Sequence, residues 1–237
     1  AYNWAVRGGG SGNDQGKGIA VSSTVSGDAV LVTGLFNSIA AFGSTSLTSS
    51  GSNDLVIASL SLATGAYNWA VRGGGSGSDD GHGIAVSGDA VVITGWFSGA
   101  AAFGSTSLTS FGGFDLVIAS VSLSTGAYNW AVQGGGSGND QGKGIAVSST
   151  AFGDAVLVTG YYENSAVFGR SLSSGMIING QQLVIVSVSL ATGTYNWVEG
   201  GGGGGSEVAL VSPLPAVRWW SPAGFQIGGL FKTGCHL

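Results

Sequence analysis

The chain has 237 residues, of which only 8% are charged, and it carries a formal net charge of −5. Ordinary globular domains are about 25% charged, so the polar surface here must be built from Ser, Thr, Asn, Gln and bare backbone. The small acidic charge gives phosphates nothing to bind, which argues against nucleic acid as a partner. No apolar stretch reaches membrane-spanning length, which argues against a membrane span.

The chain is built of repeats. Residues 1–12 recur letter for letter at 66–77, and again at 127–138 with Gln133 in place of Arg, and a fourth Tyr-Asn-Trp begins at Tyr195. A spacing of 61 to 67 residues between the copies is too long for a helical repeat and long enough for a four-stranded propeller blade. The predicted units are 1–65, 66–126 and 127–193, followed by the start of a fourth up to residue 199.

The second unit shows the elements most clearly. β-Branched runs alternate with turn residues such as Gly88-Asp89, and no 3.6-residue periodicity occurs, which predicts strands and excludes helix. Apolar runs without alternation need cover on both faces, and stacked sheets provide it. We therefore predict an all-β fold of tandem four-stranded blades in an incomplete or open β-propeller. In chain order the predicted strands are 83–87, 90–94, a weaker pair within 102–109, then 115–123 and 127–132.

The consensus W-A-V-x-G-G-x-G-x-D-x-G-x-G-I-A-V, followed by G-D-A-V-x-V-T-G, resembles the bacterial SBBP repeats of seven-bladed β-propellers. The match covers about residues 1–199 and is carried by Trp4, Gly18-Ile19-Ala20-Val21, Val32-Thr33-Gly34 and Asp54. This resemblance implies a propeller of such repeats in a secreted or cell-surface protein, with no assigned chemistry.

Three loops spell G-G-x-G-x-D and end at Asp14, Asp79 and Asp140. This is the opening of the calcium-binding RTX nonapeptide, in which glycines allow tight turns and Asp supplies hard oxygen ligands. RTX proteins carry the nonapeptide in tandem, whereas these copies lie some sixty residues apart. The loops therefore have two interpretations, a calcium site or an Asp that caps a Gly-rich loop, and the spacing favours the cap. No other cofactor is expected.

The recurrent tryptophans Trp4, Trp69 and Trp130 also have two interpretations. An aromatic face beside a polar edge suits carbohydrate stacking. The same ring at the same place in every unit suits packing between blades, and we favour that interpretation.

No catalytic constellation is present in the sequence, so we predict that the chain is not an enzyme. Asp54 and Asp115 precede the long strand, but the third unit has Gln182 there, which favours hydrogen bonding at the start of the strand over catalysis. His82 replaces a lysine of the other units, which indicates a solvated position.

Residues 200–237 break the repeat, since they hold a glycine run, all three prolines and the only cysteine, Cys235. They are either a diverged cap, as terminal repeats often are, or the product of a slipped reading frame. The first Tyr-Asn-Trp strand, Ala1–Val6, has no blade of its own, and open sheet edges associate readily. We therefore expect an excerpt of a longer array, or self-association through the terminal blades.

The sequence thus favours a noncatalytic extracellular β-propeller scaffold or adhesive binding module whose partner is an unidentified protein or glycan. The alternative is a calcium-dependent or carbohydrate-binding propeller domain of a larger enzyme.

Overall fold

The computed structural model describes residues 3–23, 28–149, 153–169, 171–173, 180–201 and 208–209, which form eighteen β-strands. These residues contain no helix, so the all-β prediction is confirmed. Accordingly, the described part of the chain has no helix long and apolar enough to cross a membrane.

The strands form three antiparallel sheets, none of which closes on itself. Sheet one has seven strands in the order β1-β3-β4-β5-β8-β9, with β2 paired to β3. Its strands are β1 (Gly8–Gly10), β2 (Gln15–Ser22), β3 (Ala29–Phe42), β4 (Thr45–Ser61), β5 (Tyr67–Gly75), β8 (Ala100–Phe103) and β9 (Thr106–Thr109).

Sheet two has six strands in the order β15-β14-β11-β10-β7-β6, and sheet three has five in the order β12-β13-β16-β17-β18. The strands of sheet two are β6 (Asp79–Ser87), β7 (Ala90–Phe97), β10 (Asp115–Ser122), β11 (Tyr128–Gly136), β14 (Ala166–Phe168) and β15 (Ser171–Ser173). Those of sheet three are β12 (Gln141–Ser148), β13 (Ala155–Glu163), β16 (Gln181–Ser189), β17 (Tyr195–Gly201) and β18 (Val208–Ala209).

Each sheet contains a four-stranded antiparallel meander: β2-β3-β4-β5, β6-β7-β10-β11 and β12-β13-β16-β17. The strands predicted for the second unit are confirmed as β6, β7, β8, β9, β10 and β11. The weaker pair, β8 and β9, does not join its own meander. It reaches back and pairs with β5 of the preceding unit, with Gly74 opposite Ala102. The hairpin β14-β15 reaches back to β11 in the same way, so consecutive units are linked by backbone hydrogen bonds.

The first strand of every meander carries a β-bulge, at Lys17 in β2, His82 in β6 and Lys143 in β12. A bulge inserts an extra residue and re-aims its side chain. The facing strand must have glycine beside the bulge, because a Cβ on Gly95 would lie 1.9 Å from the carbonyl oxygen of Asp80. Gly34 and Gly160 meet the same obstacle in the other units.

Both faces of each meander are apolar, and they pack in a fixed direction. We call the face toward the following sheet the back face and the face toward the preceding sheet the front face. The back face of sheet one (Leu31, Leu55, Ile57) packs on the front face of sheet two (Val91, Ile93, Val117, Ala119, Val121). The back face of sheet two (Val92, Leu116, Ile118) packs on the front face of sheet three (Val156, Val158, Val184, Val186, Val188). All of these side chains are fully buried, and β6 lies against both β2 and β12.

Candidate functional site

The three predicted tryptophans make the same contact with the sheet that follows each of them. The indole Nε1 of Trp4 donates a hydrogen bond to the carbonyl oxygen of Leu62 at 2.8 Å, and its ring lies against Gly65. Trp69 repeats this on Leu123 at 2.9 Å, and Trp130 repeats it on Leu190 at 3.0 Å. We call this the turn contact, because each receiving glycine lies in the tight turn between the third and fourth strands.

The turn contact requires glycine for two reasons. Gly65, Gly126 and Gly193 have φ values of 71°, 73° and 71°, a left-handed conformation that other residues adopt at a cost. A Cβ at Gly126 would also lie 2.7 Å from the ring of Trp69. The indole therefore covers a surface on which no side chain fits, and its only polar atom is satisfied there. This is the packing between consecutive sheets that the structural interpretation of the tryptophans predicts.

A fourth tryptophan, Trp197 on β17, has no turn contact within the described residues. It lines an open groove of about 740 Å³ that residues of sheets two and three form together. Asn129, Trp130, Asp154 and Asn196 also line this groove, which therefore combines aromatic faces with amide and carboxylate groups. Such a combination suits a neutral, hydroxyl-rich ligand. The sequence pattern pointed to Trp4, Trp69 and Trp130 and passed over Trp197, because only the packing distinguishes the four.

The predicted calcium ligands lie in separate sheets and bind backbone groups. Asp14 accepts from the N–H of Gly10 at 2.7 Å, Asp79 from that of Gly75 at 2.8 Å, and Asp140 from that of Gly136 at 2.7 Å. The second oxygen of each accepts one more backbone N–H from the second strand of the first hairpin or from the residue just past it, at Asn37, Ser98 and Glu163. The loop-capping interpretation predicts these hydrogen bonds.

Within the described part of the chain, no group of three or more His, Cys, Asp or Glu side chains is arranged to hold a metal ion. Calcium binding at the three aspartates stays a prediction.

Two of these aspartates form buried carboxylate pairs with the residues that precede the long strands. Asp54 Cγ and Asp79 Oδ2 lie 3.0 and 2.5 Å from the place that a Cβ on Gly74 would occupy, and both side chains are fully buried. Arg72 supplies a cation, with Nη1 2.5 Å from Asp54 Oδ2. Burial nevertheless raises the pKa of Asp79 to about 7, with Asp54 adding to the rise, while backbone hydrogen bonds and Arg72 oppose it.

The second pair, Asp115 and Asp140, surrounds Gly135 in the same way but has Gln133 in place of the arginine. Burial raises the pKa of Asp115 to about 7; the N–H of Phe111 opposes the rise and the charge of Asp140 adds to it. Burial also raises the pKa of Asp140 to about 6. Among the described residues, Oδ1 of Asp115 is buried without a hydrogen-bond partner. This junction therefore holds two buried acids and no neutralising side chain.

A further polar cluster joins the first strands of all three meanders. Lys17 Nζ contacts Asp80 Oδ2, and His82 Nε2 lies 3.4 Å from the same oxygen. Partial burial lowers the pKa of Lys143, Lys17 adds to the lowering, and Asp80 opposes it. Lys17 and Lys143 are exposed, but the interpretation of this position as simply solvated is wrong for His82, whose side chain is only 19% exposed. The sequence does contain a signal for this cluster, since Asp80 is an aspartate where the other units have glutamine.

No known protein-family model and no curated protein matches this chain. The resemblance to SBBP repeats therefore stays a prediction.

Truncation of one turn contact measures its strength. We expect Trp69→Ala to lower the free energy of unfolding by about 3–5 kcal/mol, as for large aromatic truncations in cores, because Trp69 is 9% exposed and holds sheets one and two together. Trp197→Ala is the matched control and should cost far less. Chemical denaturation measures both, and equal losses would contradict the role assigned to the turn contact.

The uncompensated acid pair predicts that stability depends on pH. A carboxyl whose folded pKa is raised contributes stability that is complete below its ordinary pKa of 3.8 and is lost as the pH rises to about 7. Asp115→Asn should therefore raise the free energy of unfolding at about pH 8 by at least about 1 kcal/mol, since one pKa unit corresponds to about 1.4 kcal/mol. The gain should shrink toward pH 4.

Two variants serve as controls for the acid pair. Gln133→Arg supplies the cation found at the first junction and should also stabilise the protein above pH 7. Burial also raises the pKa of Asp54, but backbone hydrogen bonds and Arg72 oppose the rise, so Asp54→Asn should stabilise the protein at pH 8 less than Asp115→Asn does. Thermal melts across the pH range measure all three, and a profile of Asp115→Asn that runs parallel to the parent profile would refute the assignment.

Proposed function

We propose that this chain is a noncatalytic β-propeller repeat scaffold or adhesive binding module that acts outside the cell, with each four-stranded meander as one blade. The turn contact carries this proposal. The same indole, hydrogen bond and glycine occur three times, at Trp4, Trp69 and Trp130. A side chain used in this way at every unit builds an array, and it is not left free for chemistry.

The other recurrent side chains support the same function. Asp14, Asp79 and Asp140 bind loop backbone. In the second, third and fourth Tyr-Asn-Trp the asparagine sits at a bulge and binds the serine of the neighbouring strand, as Asn68 binds Ser59 at 3.0 Å. The repeated polar residues are thus used to shape strands and loops, and a ligand would be bound by the residues that vary between units.

The arrangement of the first strands agrees with a propeller. Because β6 lies against both β2 and β12, the first strands of the three units cluster on one side of the molecule, as the inner strands of blades cluster around an axis. The resemblance to SBBP repeats supports the same architecture and the extracellular location.

A repeat scaffold predicts that damage stays local, because each unit contacts only its neighbours. In Trp69→Ala, hydrogen exchange followed by mass spectrometry should show lost protection in β4, β5 and β10. Strand β16 of sheet three should keep its protection, since the turn contact of Trp130 is intact. A uniform loss across all three sheets would indicate one cooperative domain and would contradict the array.

The groove beside Trp197 favours one alternative, a carbohydrate-binding domain of a larger enzyme. Its aromatic and amide lining, with Trp197, Asn129 and Asn196, suits a sugar ring with hydroxyl groups. Glycan-array binding by the parent chain that is lost in Trp197→Ala, and kept in Trp4→Ala, would support this function. Repeating the assay in chelator tests its calcium-dependent form, and a melting temperature unmoved by calcium would remove support for the metal.

A further inference from the structure

The front face of sheet one is covered less well than the same face of the other sheets. In sheets two and three the equivalents of Val32, which are Ile93 and Val158, are fully buried. In sheet one, Val32 is only half-buried. On β2, Ile19 is 70% exposed and Val21 is 57% exposed, whereas Ile84, the equivalent of Ile19, is 8% exposed. An apolar groove of about 290 Å³ lies over this face.

Apolar residues on the back face of sheet three are exposed in the complementary way. Leu183 is 52% exposed, whereas its equivalents Leu55 and Leu116 are fully buried. Leu157 and Ile185 on the same face are half-buried. The equivalent back faces of sheets one and two pack on the front faces of sheets two and three, which are equivalent to the front face of sheet one. The two exposed faces are therefore the two halves of an interface that the chain already forms twice within itself.

Residues 3–10 partly fill the place of a preceding sheet. Trp4 makes the turn contact with Leu62 and Gly65, and Gly8–Gly10 pairs with β3 as β5 pairs with β8. These contacts correspond to a fourth strand only. Within the described part of the chain, no strand occupies the places of the other three strands, and Val6 beside the groove is 46% exposed.

We propose that a second copy of this chain docks head to tail, with the back face of its sheet three on the front face of sheet one. Its β17 then takes the place of residues 3–10, and its Trp197 replaces Trp4 in the turn contact. Continuity with the internal junctions identifies the occupant, because the surfaces are the same. The inference rests on the proposed repeat scaffold. Such a heterologous contact closes into a ring where the rotation allows it, and two copies would supply six blades, within the four to eight of known propellers.

Displacement makes Trp4 a competitor of association. Trp4→Ala should lower the dissociation constant of the dimer about tenfold or more, because residues 3–10 are displaced more easily once their turn contact is gone. Sedimentation velocity should then show a species of about 47 kDa, twice the 23.3 kDa of the chain. Trp4→Ala/Trp197→Ala should return the protein toward monomer. Phe111→Asp in the Trp4→Ala background is the surface control, since Phe111 is 60% exposed outside both faces, and it should leave the dimer intact.

Two further variants in the Trp4→Ala background test the direction of docking. Ile19→Asp spoils the front face and Leu183→Asp spoils the back face, so each alone should be monomeric. An equal mixture of the two should regain a dimer, because one copy keeps a good back face and the other keeps a good front face. A chain that stays monomeric as Trp4→Ala, or single variants that still associate, would overturn the proposal. If docking fails but Trp69→Ala loses hydrogen-exchange protection only locally, the head-to-tail contact is refuted and the proposed repeat scaffold is not.

Discussion

The whole structure depends on one constraint, that a four-stranded sheet with two apolar faces must be covered on both. In sheet two, alternate residues of one strand point to opposite sides, so Val91 faces sheet one while Val92 faces sheet three, and both are fully buried. A sheet of this kind cannot face water on one side as an amphipathic antiparallel sheet does. Stacking is therefore required by the strand composition, and the chain satisfies the requirement by repeating the unit.

The direction and spacing of the stack come from contacts that apolar burial alone would not specify, since burial is not directional. The turn contact provides a hydrogen bond at a fixed place, as Trp130 shows on Leu190. The hairpins that reach back, β8-β9 to β5 and β14-β15 to β11, provide a backbone register between units. A unit that slid along its neighbour would lose the hydrogen bond of the turn contact and the pairing of the hairpin. These two contacts therefore fix one arrangement of an apolar interface that is weakly specific by itself.

Much of this fold could be predicted from the sequence, because strands and turns are local. The apolar runs predicted β6, β7 and β10 at nearly their observed positions. The G-G-x-G-x-D pattern of the loops predicted the aspartates that cap them. The reach-back pairing of β8 could not be predicted, because strand periodicity carries no information about a partner in another unit. The pairing of Asp54 with Asp79 was missed for the same reason, since the two residues belong to different units and meet only where the sheets stack.

The cluster at Asp80 shows a second limit of pattern reading. Lys17 and His82 hold equivalent positions in their units, and equivalence suggested a common solvated environment. Stacking instead brings these bulged residues together around Asp80, an aspartate where the other units have glutamine. Lys17 contacts Asp80, and His82 Nε2 lies 3.4 Å from it. In a repeat protein, a residue that departs from the consensus is read correctly only against the neighbours that stacking gives it.

The two internal junctions differ in charge, although their apolar faces are equivalent. The first junction buries two acids with Arg72 beside them, and the second buries two acids beside Gln133. A buried carboxylate without a cation or a full set of hydrogen bonds is destabilising, and Oδ1 of Asp115 lacks a partner among the described residues. In an array whose stability is a sum of units and junctions, we expect the boundary between sheets two and three to open first. Residues of both sheets also line the groove beside Trp197, so this groove lies next to the junction that lacks a cation.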